Sequence, residues 1–109
     1  MNINLSEWIK ETRGKPRRVG SYEFYNNAAR IVCADGFTMS VQASATHYCT
    51  PRDNSGPWTE FEVGYPSKRE QLLLLYAEQP KHLTDTVYSC VPEDLILAVI
   101  KKHGGVKIE

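Results

Sequence analysis

The feature that most constrains the fold is the dipeptide Asp35-Gly36, which lies between two segments rich in β-forming residues. The first segment is 29–34 (ARIVCA) and the second is 37–44 (FTMSVQAS). Asp and Gly tolerate the positive φ angles of a type I′ turn, whose twist matches that of paired strands. The sequence therefore predicts a β-hairpin closed by a two-residue type I′ turn.

The second arm of this hairpin alternates regularly between apolar and polar residues. The apolar positions are Phe37, Met39, Val41 and Ala43, and the polar positions are Thr38, Ser40, Gln42 and Ser44. Successive side chains of a strand point to opposite faces, so one face of this strand should be buried and the other polar. The pattern indicates an antiparallel sheet that is covered on one side.

The remaining elements follow from helical and strand periodicities along the chain. Helices are predicted over residues 4–13, from 67 up to the proline at 80, and from 92 to 103, and strands over 17–25, 59–65 and 86–91. A chain of 109 residues is of single-domain size. We therefore expect one α+β domain over residues 1–109. It should contain an antiparallel sheet of four to five strands, with the hairpin central and the helices packed on one face.

Local signals set the ends of two of these helices. Ser67 and Glu70 have the spacing of a capping box at a helix N-terminus. The leucines at 72–75 make that helix apolar nearly all round, so we expect protein to cover it. Gly104 is a typical C-terminal stop for the last helix.

The charge balance argues against several classes of protein. The chain has 13 basic and 13 acidic residues and a formal net charge of zero. A DNA mimic would be strongly acidic, and a dedicated nucleic-acid binder usually has a basic excess, so direct nucleic-acid binding is not expected. The sequence has no run of about 18 apolar residues and no secretory pattern at its start, so we expect no membrane association.

The cysteines predict free thiols in a reducing, cytoplasmic setting. Their number is odd, their spacing is wide, and no Cys-x-x-Cys pair occurs. Cys33 and Cys90 lie in apolar β-type segments and should be buried, whereas Cys49 lies in a polar segment. A metal site built from His47, Cys49, His82 and Cys90 would match no compact ligand pattern, so no metal and no cofactor is predicted.

The candidate site is the loop of residues 47–58, together with the adjoining strand. The side chains expected to contact a partner are His47, Tyr48, Arg52, Asp53, Trp58 and Glu62. Aromatic residues and arginine are the usual hot-spot types, and a loop this long in a small domain is commonly functional. The alternative is a structural loop whose Tyr48 and Trp58 only complete the core.

Two other groups of residues have a chemical interpretation beside a structural one. His47 and Cys49 would point the same way in an extended segment and could form an activated thiol, although no third orienting residue is identifiable. Glu60 and Glu62 share one strand face. One interpretation is a pair of carboxylates for acid–base chemistry, and the other is the solvated face of a strand that is buried on one side.

The basic cluster near the N-terminus also has two interpretations. It consists of Arg13, Lys15, Arg17 and Arg18. Four cations could make a salt-sensitive contact with phosphates. The balanced total charge favours a solvated loop between the first helix and the first strand.

Several longer motifs carry a resemblance to a known family. They are residues 34–44 (ADGFTMSVQAS), 48–52 (YCTPR), 56–67 (GPWTEFEVGYPS), 84–88 (TDTVY), 91–93 (VPE) and 103–105 (HGG). Taken in order over about residues 33–105, they are similar to a family of small tailed-phage and prophage proteins. The family brings no established catalytic role, so the resemblance assigns no catalytic residue.

The resemblance implies a phage or prophage accessory protein that acts in the cytoplasm of the bacterial host. Such genes often counter host defences, so we expect a non-catalytic inhibitor of anti-CRISPR type that binds a defence protein. One alternative is a sponge that sequesters a defence signalling nucleotide and forms a homodimer. In this alternative, Arg52 would contact the phosphate, and Tyr48 or Trp58 would stack on the base. Others are a small hydrolase using Cys49 and His47, and a structural component of the virion.

Overall fold

Two helices, six strands and one 3-10 helix follow one another in the computed structural model, which describes residues 3–107. They are α1 (Leu5–Thr12), β1 (Arg17–Val19), β2 (Tyr22–Phe24), β3 (Ile31–Val32), β4 (Thr38–Gln42), β5 (Glu60–Gly64), the 3-10 helix (Gln71–Tyr76), β6 (Val87–Pro92) and α2 (Glu93–Lys102). Among these described residues, no helix has the length and hydrophobicity that crossing a membrane requires.

The main sheet is a four-stranded antiparallel meander in the order β3-β4-β5-β6. Val41 lies opposite Val63, and Phe61 lies opposite Val91. Residues paired across neighbouring strands share a face, and all four side chains are fully buried. The predicted alternation along β4 is therefore confirmed at its apolar positions.

Both helices bury their apolar side chains against this same sheet face. Leu5 and Ile9 of α1 and Ile96, Val99 and Ile100 of α2 belong to one buried cluster with the inward residues of the strands. The chain thus has an α+β fold with antiparallel sheets, as the sequence predicts.

The hairpin between β3 and β4 forms at the predicted place in the chain, but it lies at one edge of the sheet and not at its centre. Its turn also differs from the predicted type I′. Cys33 and Phe37 form the closing pair, and the Gly36 N–H donates to the Cys33 carbonyl at 2.9 Å. Gly36 has a φ of 95°, whereas Asp35 does not adopt a positive φ. The loop therefore has three residues and ends in a left-handed glycine. The Asp35 carboxylate stabilises it by accepting from the Phe37 N–H at 2.9 Å.

The predicted strand over residues 17–25 is instead a hairpin. β1 and β2 pair in a separate two-stranded antiparallel sheet, with Val19 opposite Tyr22. Gly20 lies at the first central position of the turn with a φ of 62°, a conformation that glycine adopts without strain. We refer to residues 17–24 as the N-terminal hairpin.

The predicted helix beginning at Ser67 is wrong in its start and in its type. Ser67 pairs with the β4 backbone: its N–H donates to the Thr38 carbonyl, and its Oγ accepts from the Thr38 N–H. The short 3-10 helix begins later, and the Glu70 carboxylate caps it by accepting from the Leu72 N–H. The expected cover is also incomplete, because Leu75 is 96% exposed.

Cys90 lies nearer the surface than predicted, whereas Cys33 is buried as expected. β5 ends at Gly64, and Tyr65 turns into the left-handed region with a φ of 48° and is half exposed. Cys90 lies in an irregularity of β6, where the register with β5 shifts by one residue. Its φ is 50°, and its side chain is half-buried.

Candidate functional site

The loop of residues 47–58, which we call the 47–58 loop, is tied to both neighbouring strands. The Thr50 N–H donates to the Glu60 carbonyl at 3.0 Å, and the Thr50 hydroxyl donates to the Glu60 carboxylate at 2.7 Å. On the other side, the Cys90 N–H of β6 donates to the Tyr48 carbonyl at 3.1 Å. The irregularity in β6 therefore supplies the donor that holds this loop against the sheet.

Asp53 organises the tip of the 47–58 loop. Its Oδ1 accepts from the Ser55 N–H at 3.0 Å and from the Gly56 N–H at 2.8 Å. The bond from Gly56 is the main reason why the pKa of Asp53 lies below its ordinary value. Asp53 was expected to contact a partner, but this oxygen is already used to hold the turn.

Trp58 is a packing residue of this loop, so the expectation that it is displayed to a partner is wrong. Its side chain is only 2% exposed, and its indole N–H donates to the Asp53 carbonyl at 3.1 Å. The Ser6 hydroxyl of α1 accepts from the Trp58 backbone N–H at 3.0 Å. A Cβ at Gly56 would lie 2.9 Å from the indole ring, so the close packing requires a glycine there.

Arg13 joins α1, the residue that follows the N-terminal hairpin and the 47–58 loop. It is buried, with its guanidinium 3.6 Å from the Tyr25 ring centroid and 5.8 Å from the Trp58 ring. Its Nη1 donates to the Asn54 carbonyl at 3.0 Å. The interpretation of the basic cluster as a solvated loop is therefore wrong for Arg13, which is a packed cation between two aromatic rings.

The outer surface of the 47–58 loop presents Tyr48 and Arg52 together. The Arg52 guanidinium lies 5.2 Å from the centroid of the Tyr48 ring, which is 49% exposed. The Glu62 carboxylate of β5 accepts from the Tyr48 N–H at 3.3 Å and so fixes the backbone beneath the ring. We call these two side chains the Tyr48–Arg52 pair; it is the exposed part of the predicted site.

His47 and Cys49 both bond to Ser44 rather than to each other. His47 Nδ1 lies 2.7 Å from the Ser44 hydroxyl, and the Cys49 thiol donates to the carbonyls of Ser44 at 3.2 Å and Pro51 at 3.4 Å. Burial raises the pKa of Cys49 and lowers the pKa of His47. A protonated thiol beside a neutral imidazole is the opposite of an activated pair, so the geometry gives the hydrolase alternative no support.

Alkylation tests this assignment of the Cys49 thiol. We expect iodoacetamide to label Cys49 of the folded protein slowly at pH 7, because the thiol is both buried and protonated. In urea, Cys49 should react like an ordinary cysteine. Peptide mass spectrometry over time measures both rates, and fast labelling of the folded protein below pH 7 would contradict the assignment.

The other proposed metal-ligating and acidic residues are not gathered into a site. Within residues 3–107, no group of three or more His, Cys, Asp or Glu side chains is arranged to hold a metal ion. His82 is an exposed turn residue. Glu60 and Glu62 are half-buried and each bonds to the 47–58 loop, so they are supports of the loop rather than a solvated face.

A second polar cluster, which the sequence analysis does not identify, joins the C-terminus of α2 to the rest of the fold. His103 Nδ1 lies 2.6 Å from Asp35 Oδ2, and His103 Nε2 lies 2.7 Å from Glu70 Oε1. The Lys102 ammonium donates to Glu70 at 3.0 Å. The imidazole stacks on Phe37 with the ring centroids 4.1 Å apart. We call these residues the His103 cluster.

The charges of the His103 cluster support one another. Burial opposes ionisation of Glu70, but bonds from the Leu72 N–H, His103 and Lys102 outweigh it and hold the pKa of Glu70 below its ordinary value. Burial also opposes the charge on His103, but its bonds to Asp35 and Glu70 prevail and raise its pKa. Both imidazole nitrogens are engaged, so this histidine clamps three chain segments together and has no free nitrogen to act as a base.

These shifts predict how stability depends on pH. The ionised Glu70 carboxylate adds to the free energy of unfolding above its ordinary pKa of 4.5. This stabilisation is lost as the pH falls through the lowered pKa of Glu70 in the folded protein. The protonated His103 imidazole adds to the free energy of unfolding below its ordinary pKa of 6.5. This stabilisation is lost as the pH rises through the raised pKa of His103 in the folded protein. The cluster should therefore stabilise the fold most between these two values.

Urea unfolding at a series of pH values measures this dependence. We expect the free energy of unfolding to fall as pH rises above 6.5, and the fall to be smaller in His103→Gln, which removes the titrating group. Identical slopes in the two proteins between pH 6.5 and 8.5 would show that His103 does not gain stability from its charge.

Comparison with protein-family models, with curated proteins and with solved structures found no match for the chain.

Proposed function

We propose that the chain is a phage-encoded accessory protein that acts without catalysis in the bacterial cytoplasm, where it binds a host defence protein and blocks it. The observation that carries this proposal is the exposed Tyr48–Arg52 pair on a loop that is bonded on both sides. The assignment to phage comes from the motif resemblance. The proposal that it acts by binding is supported by the ordered 47–58 loop and its exposed pair.

The 47–58 loop has the properties of a preorganised binding surface. Its backbone is held by Asp53, by Glu60 and by the bond from Cys90, so binding would cost little loop entropy. Tyrosine and arginine are the residue types that most often dominate binding energy at protein interfaces. An exposed pair of them on an ordered loop supports binding by occlusion of a partner surface.

The burial of Trp58 favours a protein partner over a nucleotide at this loop. In the sponge alternative, Tyr48 or Trp58 stacks on the base while Arg52 contacts the phosphate. Trp58 is enclosed, and the Arg52 guanidinium already lies over the Tyr48 ring. A protein surface would use the pair as it stands, whereas a stacked base would have to displace the arginine.

Affinity capture from lysogenic or infected cells tests the proposal. The tagged chain should retain a component of a defence system, and Tyr48→Ala/Arg52→Ala should weaken the measured affinity for that component about 30-fold or more, the effect of losing one hot spot of ~2 kcal/mol. Both side chains are exposed, so the variant should remain folded.

Tyr65→Ala/Arg69→Ala is the matched control, because it removes an equally exposed tyrosine and an exposed arginine elsewhere. We expect this control to capture the same component as the unaltered protein. Equal capture by the folded Tyr48→Ala/Arg52→Ala variant would remove the loop from the proposal. Capture of virion proteins alone would instead favour the structural alternative.

A further inference from the structure

The N-terminal hairpin has one face that none of the described residues covers well. Arg17 lies opposite Phe24 and Val19 lies opposite Tyr22, so these four side chains project from the same side of the two strands. Val19 is 68% exposed, Tyr22 70% and Phe24 40%. We call this surface the hairpin face.

The two aromatic rings of the hairpin face lie side by side. The ring centroids of Tyr22 and Phe24 are 6.3 Å apart, and the ring planes differ by 33°. Neither ring is enclosed, so each offers a π surface to a planar ligand. Aromatic side chains exposed on strands in this way are the usual stacking platforms for unpaired bases.

The charge on this side of the hairpin is positive. Arg17 belongs to the face and bonds to the neutral Asn26 side chain at 2.8 Å, and no carboxylate within residues 3–107 forms an ion pair with it. The exposed Lys15 precedes it along the chain. The carboxylate of the hairpin, Glu23, alternates to the opposite side, where it pairs with Arg18 at 3.2 Å. An anionic ligand would therefore meet cations and no carboxylate of the hairpin.

The hairpin is supported by the rest of the fold. A two-stranded hairpin is marginally stable alone, but here the Asn54 side chain donates to the Glu23 carbonyl at 3.2 Å. Arg13 stacks on Tyr25, directly after β2. These contacts hold the strands in place, so the rings are presented on a fixed support.

We propose that the hairpin face binds unpaired nucleotides, with a base stacked on Tyr22 or Phe24 and the phosphate on Arg17 and Lys15. Free nucleotides and single-stranded nucleic acid share this chemistry. The zero net charge of the whole chain does not oppose it, because the cations concerned are gathered locally. A stable protein interface needs about 800 Å² from each partner, whereas a base needs only one ring, so the small face suits a nucleotide better.

Fluorescence anisotropy tests this site with a fluorescein-labelled 12-nucleotide single strand, as DNA and as RNA, and with the corresponding duplex. The single strands should bind more tightly than the duplex. If two cations contact phosphates, the affinity of the protein for the single strands should fall about sevenfold between 50 and 200 mM salt. Competition with adenosine monophosphate distinguishes the two sources: displacement at micromolar concentration identifies a free-nucleotide site, and displacement only at millimolar concentration identifies a strand site.

Leucine variants distinguish the effect of aromatic stacking from that of hydrophobic contact. They also keep an apolar side chain on each strand, so the hairpin should remain folded. Tyr22→Leu and Phe24→Leu should each weaken binding about fivefold or more, because they remove a π face and keep an apolar side chain. Arg17→Gln should weaken binding and reduce the salt dependence. Leu75→Ala and Lys81→Gln alter exposed residues elsewhere and should bind as the unaltered protein does.

Three results would overturn the proposal. The first is the absence of measurable single-strand binding at 50 mM salt. The second is equal binding by the leucine variants. The third is self-association of the protein that the leucine variants abolish, because the face would then be covered by a second copy of the chain.

Discussion

Replacing Trp58 with alanine is expected to lower the free energy of unfolding by about 3–5 kcal/mol. The ring is almost completely buried and packs against Gly56, and its N–H donates to the Asp53 carbonyl. Removing it leaves a cavity between α1 and the 47–58 loop and takes away one of the two rings near Arg13. The loop should then lose its fixed conformation as well.

Urea unfolding measures this loss, and Trp58→Phe is its control. Phenylalanine keeps an aromatic ring in the core, but it is smaller than the indole and lacks the N–H that donates to the Asp53 carbonyl, so it should cost less than alanine. A Trp58→Ala protein within ~1 kcal/mol of the unaltered chain would show that the ring does not hold the loop. For the same reason, Trp58 is a poor probe of partner binding, and Tyr48 and Arg52 are better ones.

Replacing Glu70 with alanine is expected to cost about 3 kcal/mol of unfolding free energy. Glu70 is 1% exposed and accepts from the Leu72 N–H, from Lys102 and from His103. The variant leaves the 3-10 helix without its cap and the imidazole with Asp35 as its remaining carboxylate. The C-terminus of α2 would then lose its hydrogen-bonded link to the N-terminus of the 3-10 helix.

Thermal and urea unfolding of Glu70→Ala and Lys102→Met measures how much stability the buried carboxylate contributes beyond its ion pair with Lys102. The Lys102 side chain is about half exposed, so its ion pair should contribute ~1 kcal/mol or less. Glu70→Gln keeps an acceptor for the Leu72 N–H and should lie between the two. If Glu70→Ala costs no more than Lys102→Met, the His103 cluster is not a structural clamp.

Elements whose signals are local could be predicted from the sequence. The alternation along β4 places Met39 and Val41 in the core, because a strand has only two faces. α2 ends where its lysines and Gly104 indicate, since charges and the left-handed glycine act within one turn. The hairpin at Asp35-Gly36 also forms, although the three-residue loop shifts the pairing.

Features that depend on distant residues could not be predicted. Ser67 has the spacing of a helix cap, but Thr38 of β4 competes for both its N–H and its hydroxyl. Trp58 has the composition of a binding residue, yet the space between α1 and the loop encloses it. His103 meets Glu70 only after folding, 33 residues away along the chain, so no local pattern marks the cluster.

Residues 47–58 were therefore predicted correctly as a loop, but the exposure of their side chains was not. The loop lies where its length and residue types indicate, but only Tyr48 and Arg52 form its exposed pair. Asp53 and Glu62 accept from backbone N–H groups, and His47 bonds to Ser44. Sequence shows which side chains could bind, whereas packing decides which of them remain free.

Titration of the captured defence protein with the purified chain tests the central claim most directly. If the 47–58 loop blocks its target by occupying it, the activity of the target should fall in proportion to the added chain. It should reach its minimum at one equivalent of chain per target site, and the released target should be chemically unchanged. Complete inactivation by a small fraction of an equivalent, with a covalently altered target, would contradict the claim because it would require turnover.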